Sequence, residues 1–262
     1  MRKIKRIILW LSAVPVILVA GMAWLLWGGV SNPAGRKTIG DIRTPLGYER
    51  VGLPGDGFGA FIREFPLQGR GSHMKYYDGS LAYGQCLAYA VLDLPMVSNM
   101  EQCADAVMRM RAEYFWRDGQ YGRIHFHSVG GKDMRYGGGA DRVAFEQYLR
   151  RVYGNANTAS LRRHMVEKDF CDVAPGDVLV YEAPSAATYG HAVLIADVAV
   201  DPGTGKKALM IAESSTPALT MHVVRNLLHP FKSPWVIVDD ADKDVFISGI
   251  RFRKTDLRGW AD

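Results

Sequence analysis

The sequence predicts an α+β domain behind one N-terminal transmembrane helix. Three observations predict it: an uncharged apolar run at residues 7–30, helix-periodic segments between residues 57 and 168, and short apolar runs separated by turn residues from 177 onward.

The apolar run is 24 residues long, and about 20 residues span a bilayer as a helix. Arg2, Lys3, Lys5 and Arg6 precede it, and only Arg36 and Lys37 follow closely. That asymmetry makes residues 1–6 a cytoplasmic basic tail and puts the domain outside. Trp10, Trp24 and Trp27 sit near the ends of the run, where indole rings favour the interface, and a membrane helix tolerates Pro15. A cleaved signal peptide has a shorter core and a small-x-small site, neither of which is found. The expectation is a retained single-pass anchor in a bacterial inner membrane, with the domain facing the periplasm or cell exterior. No cysteine lies near the run to carry a lipid.

The chain has a net charge of +5, and residues 1–37 hold six positive charges and no negative one, which leaves residues 38–262 at −1. The basic pI belongs to the anchor region, and no nucleic-acid partner is expected. Cys86, Cys103 and Cys171 are an odd number without CxxC spacing, which disfavours a zinc ribbon or a thioredoxin-type site.

Residues 31–47 read as a linker rich in Pro and Gly, and residues 48–262 as the exported domain. Asp56 can cap a short helix over 57–64, and 87–94 reads as a strand. The clearest helix is 99–116. Ser98 and Glu101, or Asn99 and Gln102, have capping-box spacing, and Cys103, Val107, Met110 and Tyr114 recur on one face. A strand at 124–128, a Gly-rich loop through Gly139 and helices at 141–153 and 158–168 follow. The strands are then 177–181, 191–200, 207–213 and, more weakly, 221–224 and 235–238. Asp201-Pro202-Gly203-Thr204-Gly205 is a hairpin turn between two apolar runs. Pairing Val200 with Lys206 sets Val193 opposite Glu213. His191 and Glu213 then share one face and are diagonal neighbours.

A thiol nucleophile needs a base and a group that orients the base. Cys103 near a helix start, where the dipole favours thiolate, with His191 as base and Glu213 behind it, meets that description. The plainer readings are a buried apolar cysteine, a satisfied core histidine and a turn-capping glutamate. The helix's apolar face would lay Cys103 on the sheet that carries His191. Cys171 reads as structural or paired with Cys86.

Pro175-Gly176-Asp177-Val178-Leu179-Val180 followed by Gly190-His191-Ala192-Val193-Leu194-Ile195 resembles the core of the NlpC-like and CHAP cysteine hydrolases. That resemblance implies a papain-like domain that cuts peptide or amide bonds, plausibly in peptidoglycan, and implies no cofactor. Residues 102–114, Ile124-His125-Phe126, Gly190–Val193, Met221-His222-Val223 and Ser233-Pro234-Trp235 resemble an uncharacterised exported family, domain of unknown function 4846. It implies an envelope protein without an assigned activity; its members are often lipoproteins, and it more often places Gln where Glu213 stands. This second resemblance points to Cys103 as nucleophile. Tyr83-Gly84-Gln85-Cys86-Leu87-Ala88 is locally similar to the "GQC" helix start of CHAP amidases, which makes Cys86 the alternative nucleophile.

His125 and His127 share a strand face and, with His222 or Asp133, form a weak metal pattern; no metal is expected. Arg109, Arg111 and Glu113 read as solvated surface or, more sharply, as an internal ion cluster. The expected function is a cell-envelope thiol hydrolase. The alternative is a non-catalytic, membrane-anchored module that binds a peptide, glycan or partner protein.

Overall fold

The computed structural model describes residues 30–182 and 189–261, together with Pro15, Val16, Val19 and Gly21, which are helical. Apart from those four and Val30, the expected tail and anchor lie outside the described residues. No helix among the described residues is long and apolar enough to cross a membrane.

In chain order, the elements are β1 (Glu49–Arg50), α1 (Phe58–Arg63), β2 (Ala88–Val91), α2 (Cys103–Arg117), β3 (His125–His127), β4 (Asp133–Arg135), α3 (Arg142–Tyr153) and α4 (Thr158–His164). Then come β5 (Val166–Glu167), β6 (Val178–Tyr181), β7 (His191–Val200), β8 (Lys207–Glu213), β9 (His222–Val224), β10 (Trp235–Val238), β11 (Asp244–Ile247), β12 (Ile250–Arg253) and β13 (Leu257–Gly259). Nine strands form one antiparallel sheet in the order β2-β9-β8-β7-β6-β13-β5, with β1 added on β7 and β10 on β8. The α+β class with an antiparallel sheet is therefore as the sequence predicts. β3–β4 and β11–β12 form separate hairpins.

The two faces of the sheet differ in side-chain size. Ala192, Ala196, Ala199, Ala208 and Ala212 face the helices, whereas Val193, Ile195, Val198, Leu209 and Ile211 face the β11–β12 hairpin with Val245, Ile247 and Phe252. Alanine lets a helix backbone come close to the strands, and α2 occupies that space. Twelve of its fifteen residues are buried, all but Glu113, Trp116 and Arg117. A helix enclosed on every side has no single apolar stripe, so the Cys103–Tyr114 periodicity marks only part of its buried surface.

Enclosure also decides the fate of the helix charges. Arg109, 1% exposed, pairs with Glu101 at 2.9 Å and Glu113 at 3.3 Å, and Arg142 joins Glu113 at 2.7 Å. The Arg111 guanidinium lies over the rings of Phe58, Phe115 and Trp260. These groups form an internal cluster, not a solvated face.

The helix begins at Cys103, four residues later than the capping-box reading. Ser98 and Glu101 cap the preceding turn instead, accepting from Met100 N and Val97 N. Gln102 is the N-cap, and its N–H donates to Asp105. Residues 31–47 are seated on the domain rather than strung out: Asn32, Ile39 and Ile42 are buried, and Leu67 N donates to Lys37 O.

The Pro175-Gly176-Asp177 turn has a packing role. Gly176 has φ +101, and a Cβ there would meet the Phe58 ring at 2.9 Å. Asp177 accepts from Ala174 N and pairs with Lys168 at 2.8 Å. The turn thereby fixes the entry of β6 against α1.

Candidate active site

The β7–β8 hairpin brings His191 and Glu213 together by a route the sequence did not indicate. Its turn is one residue longer than expected, so Val200 pairs with Lys207 rather than Lys206. A bulge between Ile195 and Asp197 restores the register: Ile195 faces Ile211 and Leu194 faces Ala212. One extra residue in the turn and one in β7 offset each other. The site end of the ladder is therefore the expected one, and His191 Nε2 stands 3.4 Å from Glu213 Oε2.

The bulge has its own anchor. Asp197, read as part of an apolar run, is fully buried and is held by Arg50 of β1 and Arg63 of α1, each at 2.6 Å. It satisfies the charge of two elements packed on the hairpin and fixes where the extra residue sits.

His191 shares the face of Val193 and Ile195, with its ring 6.1 Å from that of Phe252, whereas α2 packs on the opposite face. Cys103 therefore does not reach His191 by lying on the sheet. His191 is the first residue of β7 and Cys103 the first of α2, so the two meet where the helix start passes the sheet's end. The His191 side chain and the backbone amides of Ala192 and Ala104 all act on the thiol. Cys103, His191 and Glu213 are 6%, 8% and 6% exposed.

The electrostatics follow from these contacts. Burial raises the Cys103 pKa, but the hydrogen bond and charge of His191, helped by the two amides, more than reverse this and leave it lowered. Burial likewise opposes the His191 cation, yet its bonds to Cys103 and Glu213 hold it at about 9. Glu213 is pushed up by burial and brought below the usual carboxylate value by His191, His222 and Ser248. Each of these shifts favours the charged form of its group: thiolate at Cys103, imidazolium at His191 and carboxylate at Glu213.

Three more groups complete the site. Ser248, in the turn between β11 and β12, donates to Glu213 Oε1 at 2.6 Å. It has φ +51, a left-handed conformation uncommon outside glycine. His222 pairs with Glu213 in register across β8 and β9, and its Nε2 lies 3.7 Å from Glu213 Oε1. Burial lowers the pKa of His222. Asp105, in the first turn of α2, has its pKa raised well above the usual carboxylate value by burial, and its Oδ1 is buried without a partner among the described residues. Sequence reading singled out neither Asp105 nor Ser248, and it considered His222 as a metal ligand and as part of a family motif, not as a partner of Glu213. The pairing of β8 with β9 is the signal that places His222 here, whereas Ser248 comes from a hairpin without a strong pattern.

Two cavities flank the Cys103–His191 contact. One, of about 350 Å³, is lined by Cys103, Asp105, Tyr153 and Asn157. The other, of about 370 Å³, is lined by His191, Glu213, Tyr76, Tyr83 and Tyr181. Tyr189, Gly190 and Thr216 border both.

Cys86 lies in the buried 3₁₀ turn at Gln85–Leu87, and burial raises its thiol pKa. The groups that raise the His191 pKa are Cys103 and Glu213. Cys86 is buried and Cys171 exposed, and no disulfide joins them, so the Cys86–Cys171 pairing is not present. Trp116, Tyr136 and Trp235 pack in or against the core.

The chain matches the family described as Domain of unknown function (4846) over residues 40–141 and 138–259. It belongs to that family. No curated protein and no solved structure shows significant similarity to it.

Proposed function

We propose that this protein is a papain-like thiol hydrolase of the cell envelope, anchored through residues 7–30, and that it cuts a peptide or amide bond in peptidoglycan. The observation that carries the reading is the Cys103–His191–Glu213 group, in which a histidine bonded to a buried carboxylate acts on a buried thiol. The order of helix cysteine, strand histidine and next-strand carboxylate supports the likeness to NlpC-like and CHAP hydrolases.

In the first step the Cys103 thiolate attacks the carbonyl carbon. The developing oxyanion meets first-turn amides of α2, which lack intrahelical acceptors. His191 gives its proton to the leaving amine as the C–N bond breaks, and a thioester remains. His191 then takes a proton from water, the hydroxide attacks the thioester, and Cys103 leaves as thiolate with the acid product released. Glu213 orients the ring and stabilises its cation throughout. The two cavities offer room for substrate on either side of the bond.

The test is hydrolysis of purified peptidoglycan and its stem peptides by the wild-type chain, Cys103→Ala and His191→Ala, with folding checked by circular dichroism. The reading expects new amine termini only with wild type, while both variants stay folded. Equal release by all three, or none by wild type, overturns it in favour of an anchored binding module.

A further inference from the structure

Away from Cys103, a second group of side chains converges on β3 and α4. One ring nitrogen of each of His125, His127 and His164 lies within 4.8 Å of the others. Strand alternation puts His125 and His127 on one face of β3, while Phe126 between them turns into the core. His164 is the last residue of α4, and its ring centroid is 4.7 Å from that of His127 and 5.1 Å from that of His125. The β3–β4 register sets Asp133 opposite His127, and its carboxylate reaches His125 Nδ1 at 2.8 Å.

Two features of the group are unexplained by packing. His164 Nδ1 is buried without a hydrogen-bond partner among the described residues, an arrangement that costs free energy unless something fills it. Three imidazoles also crowd together where only one has a carboxylate. We propose that His125, His127 and His164 bind one divalent transition-metal ion of the zinc class, with Asp133 supplying the neighbouring carboxylate that orients His125.

The donor set selects the class. Imidazole suits zinc, copper and nickel, whereas calcium and magnesium require oxygen ligands. Three protein nitrogens leave a coordination position open, as in zinc sites that also hold water. Zinc–nitrogen bonds of about 2.0–2.1 Å put tetrahedral ligand atoms about 3.3 Å apart, so the rings draw together on binding. All three are half-buried, which gives the ion a path in. The opposing influence is positive charge: Arg111, Arg123 and Arg135 border the adjoining cavity of about 270 Å³. Arg135 is paired with Asp133 at 2.7 Å, and Arg111 and Arg123 lie over the Phe115 ring. The ion would tie the β3–β4 hairpin to α4. The cavity beside it shares no lining residue with those at Cys103.

The experiment is calorimetric titration of zinc chloride into the full chain, purified in mild detergent and stripped with chelator, with thermal unfolding at each zinc level. One saturable zinc per chain and a Tm that rises with zinc are expected. His127→Ala and His164→Ala should each weaken binding by more than about tenfold, and Asp133→Asn by about tenfold, while Cys103→Ala leaves it unchanged. No saturable binding, binding that survives both histidine substitutions, or binding lost only in Cys103→Ala overturns the proposal. If the histidine variants do not fold, cobalt in the wild-type chain decides. A visible tetrahedral spectrum without a thiolate charge-transfer band supports the site, and a thiolate band overturns it.

Discussion

Removing the Glu213 side chain should destabilise the protein in a pH-dependent way. Glu213→Ala takes away the acceptor for Ser248 at 2.6 Å and the partner of His191 at 3.4 Å, both in a buried setting. The His191 pKa stands at about 9 against its ordinary 6.5. At 1.36 kcal/mol per unit, that difference is about 3 kcal/mol of preference for the folded imidazolium. Cys103 and Glu213 share it. Losing Glu213's part, together with the hydrogen bond to Ser248, should cost about 2–3 kcal/mol near pH 7. The signs set the window. His191, raised, contributes fully below about 6.5 and loses its contribution as pH rises through about 9. Glu213, lowered, contributes above its ordinary 4.5 and loses its contribution as pH falls through its folded value. The difference between wild type and Glu213→Ala should therefore be largest between about pH 5 and 8 and shrink toward both ends. Urea unfolding followed by tryptophan fluorescence measures it, with unchanged m-values required for comparison. A penalty below about 0.5 kcal/mol at pH 7, or one equally large at pH 3, would refute the reasoning.

Arg109→Met should cost about 3–5 kcal/mol in the same assay, because Glu101 is left buried without its cation; replacing Glu101 and Glu113 with glutamine in that background should recover part of the loss. Gly59→Ala should destabilise by about 1–3 kcal/mol, since its Cβ would come 2.7 Å from the Pro175 carbonyl oxygen; thermal unfolding of that variant against Gly57→Ala, where the nearest atom is 3.5 Å away, isolates the clash.

The long central strands were legible because apolar runs bounded by strong turn residues leave few alternatives: β7, β8 and β10 fall on the expected residues. The bulge was not legible. Ala196 and Asp197 stand in a run that reads as regular strand, and only the meeting of Arg50 and Arg63 at Asp197 fixes the extra residue. The start of α2 was misplaced because Ser98 and Glu101 satisfy a turn with the same spacing a helix cap uses. Cys103, His191 and Glu213 could be named from local pattern, since each begins or ends an element. How Cys103 meets His191 could not, because it depends on α2 passing the sheet's end, which strand alternation does not encode. His164 and Ser248 are long-range partners from weakly patterned segments, one at the last residue of a short helix and one in a hairpin turn.

The central claim is that His191 activates Cys103, and the most direct measurement is the alkylation rate of each cysteine across pH, read by mass spectrometry, with and without His191→Ala. The account predicts that Cys103 reacts with an inflection below the ~8.5 of a free thiol and that this inflection moves up when His191 is removed. With the pKa above the assay pH, each unit of rise cuts the thiolate tenfold and returns about threefold in nucleophilicity, a net loss of about threefold per unit. If Cys103 is inert in the folded chain, or reacts alike with and without His191, or if Cys86 carries the His191-dependent reactivity instead, the account is contradicted.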